Sequence, residues 1–228
     1  MKVTLTRITD DPIGAIDEAA ANCYNTDITA EDYQKGKLMR GCLKSGHHAV
    51  TEFAHLTFHI EGVSRALTHQ LVRHRLASFA QRSQRYCSED GFEYVIPKSI
   101  QKNDATSFGY INIMDDIQRT YKKLQELGIP NEDARMILPN ACCTAIEVSM
   151  DFREFMHFCN ERLCTRAQWE IRELTQAMVK EVEKVAPDLA KFCVPKCESH
   201  SPYCFCTEVK SCGRHPKLKD IFEKDKNF

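Results

Sequence analysis

The 228-residue chain is poor in glycine (9) and proline (8), so neither a collagen repeat nor a linker-rich array fits it. It has no apolar run near the ~18–20 residues that a membrane-spanning helix needs. An excess of one charge is also missing. Lys and Arg total 31 and Asp and Glu 32, a net charge of −1, which argues against polyanion binding over the whole surface but leaves room for a local anion site. Met1 to Pro12 contains no signal-peptide apolar region, and no Asn-x-Ser/Thr sequon occurs. The expectation for the twelve cysteines is therefore a cytoplasmic, reducing compartment and mostly free thiols. The G-x-G-x-x-G, H-E-x-x-H and G-x-S-x-G motifs are absent. Gly36 and Gly41 have the glycine spacing of a P-loop, but Cys42 and Leu43 stand where Lys and Ser/Thr belong.

Apolar residues make up 43% and charged residues 28%, enough to fill a core without staples. Period-two alternation predicts strands at Val3–Ile8, Glu52–Ile60, Phe92–Ile96 and Thr144–Met150. Helical spacing predicts helices after Asp11-Pro12, from a Thr29–Asp32 capping box to about Ser45, over Val63–Val72, Asp104–Leu127, Pro130–Ile137, after an Asp151 cap, and over Ala167–Val185. Residues 73–91 read as polar and irregular, and residues 214–228 as a charged, frayed tail. The irregular order of elements points to an α+β fold. We expect a single mixed α/β domain over residues 1–192, with a central antiparallel-type sheet and several helices. A small Cys-rich appendage and charged tail would follow over 193–228.

The strongest local anomaly runs from Gly62 to Cys87. It holds Arg65, Arg73, Arg75, Arg82 and Arg85 with no Asp or Glu. A solvated basic face would interleave acids. Guanidinium forks without acids suit phosphate or carboxylate oxygens. Gln70, Gln81, Ser83 and Gln84 add amides and hydroxyls suited to sugar and base edges.

Within this stretch, Arg73-His74-Arg75, then seven intervening residues, then Ser83 resembles the signature of the flavin-dependent thymidylate synthases. Three further blocks resemble that family in the same order: Gly46 to His59, Ala134-Arg135-Met136-Ile137-Leu138-Pro139, and the run Asp151–Arg162 with Ala167–Ile171. The resemblance implies a cytoplasmic homotetrameric methyltransferase that binds FAD between subunits. NADPH would reduce the flavin, and methylenetetrahydrofolate would give the one-carbon unit that converts dUMP to dTMP, with no cysteine nucleophile. It implies that Arg73, His74, Arg75, Gln81, Asp151, Arg153 and His157 meet the flavin. It implies that Gln70, Arg73, Gln81, Ser83, Arg85, Arg135 and Arg162 hold dUMP, with Arg162 acting on the pyrimidine ring. No membrane or nucleic acid partner is implied.

Some positions depart from the family pattern. Arg82 stands where Leu is common, and His48-Ala49-Val50-Thr51-Glu52-Phe53 stands where many members have Thr-Pro-Phe-Glu-His, so no flavin contact is assigned there. Asp151 stands where Asn is common, and as a helix N-cap it needs no ligand at all. Two other functions compete with the synthase: an RNA-binding module built on residues 62–87, and a different flavoenzyme on the same scaffold.

The cysteine tail is a separate matter. Cys193, Cys197, Cys204, Cys206 and Cys212 crowd together, with His200 and His215 near. Thiolates at short spacing suit a structural zinc ion, with Cys193, Cys197, Cys206 and Cys212 as candidate ligands. The lack of a C-x-x-C pair leaves free thiols as the alternative.

Overall fold

The alternating segments become strands. In the computed structural model, which describes residues 1–224, β1 (Lys2–Ile8), β2 (His55–Ser64), β3 (Ala77–Gln81) and β4 (Cys143–Asp151) form one antiparallel sheet in the order β1-β2-β4-β3. On β2, Leu56, Phe58 and Ile60 are buried while their neighbours are exposed or half-buried, and Ile146, Val148 and Met150 do the same on β4. Short edge strand β3 falls in the stretch read as irregular. Apart from Phe79 its residues are small or polar, and they alternate only between half-buried and exposed, so the sequence carries little strand signal there.

The helices are α1 (Pro12–Tyr24), α2 (Lys37–Lys44), α3 (Arg65–Leu71), α4 (Lys98–Gln101), α5 (Asp104–Glu126), α6 (Asn131–Ala134), α7 (Phe152–Arg162), α8 (Trp169–Val185), α9 (Pro187–Ala190) and α10 (Leu218–Lys224). Single 3-10 turns occupy His48–Phe53, Arg135–Ile137 and Lys196–Glu198. Three expectations need correction. Residues 29–32 do not cap a helix, because Asp27 takes the Thr29 amide and hydroxyl instead, and α2 starts only at Lys37. Residues 92–96 pair through an isolated bridge, Tyr94 to Cys142, rather than as a strand. The charged tail contains α10, and residues 225–228 lie outside the described residues.

Contacts divide the chain into two compact units. The first holds Met1–Lys2, His59–Arg73 and Phe79–Val148. Its satellite core packs Phe92, Met114 and Cys142 with Tyr94, Tyr110, Ile117 and Leu138, under the long helix α5. The second unit holds Val3–Phe58, His74–Ser78 and Ser149 onward. Its core is aromatic: Phe58 lies 5.4 Å from Phe155, which also meets Phe152 and Phe158 at 6.3 and 6.5 Å. Each of these side chains is fully buried, contributing about 1.5–3 kcal/mol.

One buried carboxylate ties the second unit's entry loop to α1. Asp17 accepts from the Tyr33 hydroxyl, the Gly36 amide and the Met39 amide (2.8 Å), two of them on the residues that open α2. Burial and this carboxylate push the Tyr33 hydroxyl up to about 12. Gly36 sits at φ +79, where a side chain would be strained and would meet Arg40. Replacing Asp17 with Ala leaves two buried amides unsatisfied, so Asp17→Ala should lower unfolding stability by roughly 2–4 kcal/mol. Urea denaturation followed by circular dichroism checks this, and a loss under about 0.5 kcal/mol contradicts it.

Candidate functional site

Strand β4 ends at Asp151, whose carboxylate accepts from the Glu154 amide at 2.8 Å and so starts α7. Its first role is therefore that of an ordinary N-cap. Helix α7 runs unbroken from Phe152 to Arg162. Arg153 and Arg162, nine residues apart, thus point to opposite sides. The inner face buries Phe155, Phe158 and Glu154, while Arg153 and His157, one turn apart, are exposed. Arg153 pairs with Glu52.

Glu154, which the sequence reading passed over, anchors the second unit's polar centre. His74 is only 6% exposed and lies between it and Arg162. The Nδ1 atom of His74 is 3.1 Å from Glu154 Oε1, and Arg162 donates through Nε to His74 Nε2 at 3.0 Å. An imidazole that accepts at Nε2 must carry its proton on Nδ1, which donates to Glu154. Burial, then the Arg162 and His157 charges, lowers the His74 pKa to about 4. Burial raises that of Glu154. The Phe158 ring closes over His74 edge-on at 4.8 Å. Arg162 is thus half-buried and tied inward to His74 at the end of α7. Its guanidinium plane is held by a neutral, buried histidine. A signal for Glu154 was present in the sequence: it lies on the apolar stripe of Phe155 and Phe158, where a carboxylate needs a partner.

Arg75, in the second unit, and Arg73, in the first, are exposed, and neither makes a side-chain hydrogen bond or ion pair among the described residues. The first unit also carries Gln70, Gln81, Ser83, Arg85 and Arg135. Gln81 donates to Thr68 at 3.0 Å, and Thr68 is itself buried. Ser83 Oγ accepts from the Arg85 and Tyr86 amides at 3.2 and 3.4 Å, a turn that orients Arg85. Arg85 donates to Glu132 at 2.7 Å and lies over Tyr86, while Arg135 donates to the Glu132 carbonyl at 3.1 Å. Two of the cations expected to hold dUMP thus converge on one exposed segment, α6. Arg82, the departure from the family pattern, is structural: it reaches Ser88 and the buried Glu89, whose carboxyl is raised by burial. A cavity of about 280 Å³ opens beside Arg82 and Glu89 in this unit.

The cysteines divide. None of the twelve forms a disulfide. Burial pushes the Cys142 thiol up to about 12, and fully buried Cys159 well above its usual value, aided by a hydrogen bond with Cys193. Cys193 also donates to the Leu189 carbonyl at 3.8 Å, so it faces the helical core rather than the other tail cysteines. It drops out of the ligand set expected from spacing. Cys197, Cys206 and Cys212 stay together, lining one small cavity.

These features describe an α+β protein with a carboxylate–imidazole–guanidinium chain centred on a buried histidine, and with two exposed arginines, Arg73 and Arg75, that have no acidic partner among the described residues. A family model for the thymidylate synthase complementing protein matches residues 4–188, ending before the cysteine tail. The flavin-dependent thymidylate synthase of Clostridium tetani is 39% identical over 245 residues, covering 97% of both chains. That of Pyrococcus abyssi is 42% identical over 195 residues, covering 81% of this chain and 80% of its own. The crystal structure of a flavin-dependent thymidylate synthase from Helicobacter pylori, complexed with FAD and dUMP, superimposes with a TM-score of 0.70 at 21% identity. It covers 85% of this chain and 100% of its own, a likeness of fold. The chain belongs to the flavin-dependent thymidylate synthase family. No described helix is long and apolar enough to cross a membrane.

The protonation of His74 has a measurable consequence. In the unfolded chain its imidazole takes a proton near pH 6.5, and in the fold only near pH 4. Folding stability from this group is therefore present at pH 7 and lost as the pH falls from about 6.5 toward 4. Glu154, its carboxyl raised, works in the opposite sense as the pH rises above its ordinary value. A His74→Asn variant should lose less stability between pH 7 and pH 4.5 than the parent chain. Urea midpoints at the two pH values decide this, and equal losses in both proteins refute it.

Proposed function

We propose that this protein makes dTMP by reductive methylation of dUMP, with methylenetetrahydrofolate as one-carbon donor. It would act as a cytoplasmic homotetramer whose sites are completed where subunits meet. Residues 1–192 would carry the synthase and residues 193–228 an appendage. Family membership supplies the reaction class, and the Glu154–His74–Arg162 chain is the observation that carries the reading. Bound FAD, reduced by NADPH, would supply the hydride that completes the methyl group.

The residues fit that cofactor. Its pyrophosphate needs fork-shaped cationic donors, and Arg73 and Arg75 expose guanidiniums without partners among the described residues. Arg153 and His157 add an exposed cation and an imidazole on the outer face of α7, and Gln81 and Asp151 complete the assigned flavin contacts. His74 itself is too buried to serve as a broad contact surface. Its part is to hold Arg162.

For dUMP, Gln70, Arg73, Gln81, Ser83, Arg85 and Arg135 supply amide, hydroxyl and guanidinium donors. Arg85 spends its fork on an exposed carboxylate, Glu132. Exposed pairs of this kind are worth only about 0–1 kcal/mol, so a phosphate dianion displaces Glu132 at little cost. Arg162 would lie at the uracil ring. A fixed guanidinium stabilises negative charge developing on the pyrimidine and keeps its own proton throughout. The ring then reaches nucleophilic character without a thiol, consistent with Cys142 and Cys159 held protonated by burial.

Two variants test these roles. Arg162→Ala should keep flavin and NADPH-driven flavin reduction yet lower single-turnover dTMP formation roughly a hundredfold or more, with Lys rescuing only in part. Near-normal dTMP yield from the Ala protein would make Arg162 a purely structural residue. Arg85→Ala should weaken dUMP binding by about tenfold or more while leaving flavin affinity unchanged. Titrations showing equal losses for both ligands remove Arg85 from the phosphate site. A colourless protein that binds RNA with steep salt dependence would overturn the whole reading.

A further inference from the structure

The appendage lacks what a fold of its size needs. Among the described residues after Phe192, the buried apolar side chains are Cys193, Pro195 and Cys206, and Cys193 faces the helical core. Tyr203 and Val209 are 80% and 88% exposed. A segment this short and this poor in core requires a covalent or metal staple.

The backbone brings separate parts of the segment together. The Phe205 amide donates to the Cys197 carbonyl at 3.1 Å, and the Cys206 amide to the Pro216 carbonyl at 2.8 Å. A parallel bridge joins Cys206 to Lys217. These bonds bring the backbone at Cys197, Phe205, Cys206 and Pro216 together. Cys197 Sγ, a Glu198 carboxylate oxygen and a His215 ring nitrogen lie within 4.8 Å of one another. Cys197, Cys206, Cys212 and His215 all line one cavity of about 20 Å³, together with Cys164. That is room for about one water-sized particle.

We propose that this cavity is a structural zinc site with Cys197, Cys206, Cys212 and His215 as its four ligands. Three thiolates and one imidazole make a closed tetrahedral set of the kind that selects zinc. Zinc bonds of ~2.0–2.3 Å place ligand atoms roughly 3.5–3.8 Å apart, so Cys197 and His215 close by about an ångström, and Cys206 and Cys212, which line the cavity but lie outside that close group, turn their thiols inward. On binding, each thiol releases its proton to solvent. The completed site carries one net negative charge, and Arg214, which lines the cavity, faces it. Glu198 lies 3.3 Å from His215 Nε2, which orients the ring and leaves Nδ1 for the metal. The four proposed ligands lie outside the residues matched by the family model, which end at 188. The site supplies the fold energy that the appendage's own side chains do not.

The test uses the full chain, purified without chelators from zinc-containing medium. Elemental analysis after gel filtration should find about one zinc per chain. Replacement by Co²⁺ should give thiolate-to-cobalt charge-transfer bands in the near ultraviolet and tetrahedral bands in the visible. Cys206→Ser and His215→Ala should each cut bound zinc at least tenfold, whereas Cys193→Ser and Cys164→Ser should leave it intact. The cobalt spectrum of the unmodified chain decides the matter even if those variants fail to fold. Zinc below a tenth of an equivalent with no cobalt–thiolate band overturns the site. So does a disulfide between any two of the three cysteines in the native protein. Loss of zinc in Cys164→Ser with retention in Cys212→Ser overturns the ligand set.

Discussion

The second unit depends on keeping a largely buried histidine neutral. His74 has two ring nitrogens and each is committed, Nδ1 toward Glu154 and Nε2 toward Arg162. Protonating that ring would aim two positive groups at each other across 3.0 Å in a poorly solvated setting. The arrangement therefore fixes tautomer, charge and orientation together. It also holds the segment after Arg73 onto α7, because the imidazole packs edge-on against Phe158 within the aromatic core. A guanidinium at the end of a helix is normally a mobile surface group. Here one of its nitrogens is tied to a rigid base, and that makes it usable as a fixed electrostatic element.

The arginines of the acid-free stretch fall into distinct physical classes. Arg82 is tied to Glu89 and the Ser88 carbonyl and belongs to the framework. Arg65 donates to the Arg82 carbonyl and is half-buried beside it. Arg85 is held by a weak exposed pair that an anion can replace. Arg73 and Arg75 make no side-chain pair among the described residues. A uniform reading of the stretch as one anion-binding patch would miss this division. The absence of acids within the stretch is real, but acids from elsewhere, Glu89 and Glu132, meet it in the fold.

The cysteines show the same separation of composition from chemistry. Cys142 and Cys159 are buried thiols whose pKa is raised, unsuited to attack at neutral pH. Cys193 is paired with Cys159 by a hydrogen bond rather than with its neighbours in sequence. Cys197, Cys206 and Cys212 share a cavity in a segment with almost no apolar core. The cysteines therefore occupy separate settings: buried core thiols such as Cys142 and Cys159, exposed ones such as Cys23 and Cys87, and three that line one cavity in the tail.

By itself the sequence determined the α+β class, the strands β1, β2 and β4, the long helix α5 and the helix capped by Asp151. Periodicity and capping are local properties, and local properties are what a linear pattern records. Its motif order also determined the family. The tertiary structure alone decided β3, where Phe79 is the one residue that favours a strand and the pairing uses the edge that β4 offers. It decided that residues 29–32 form turns, since Asp17 on α1 draws in the amides of Gly36 and Met39 and delays α2. It decided that Glu154, eighty residues from His74, completes the polar chain behind Arg162. It also decided which tail cysteines face one another. Burial and partners distant in sequence set the charge state and direction of a side chain, and neither is written in the spacing of its neighbours.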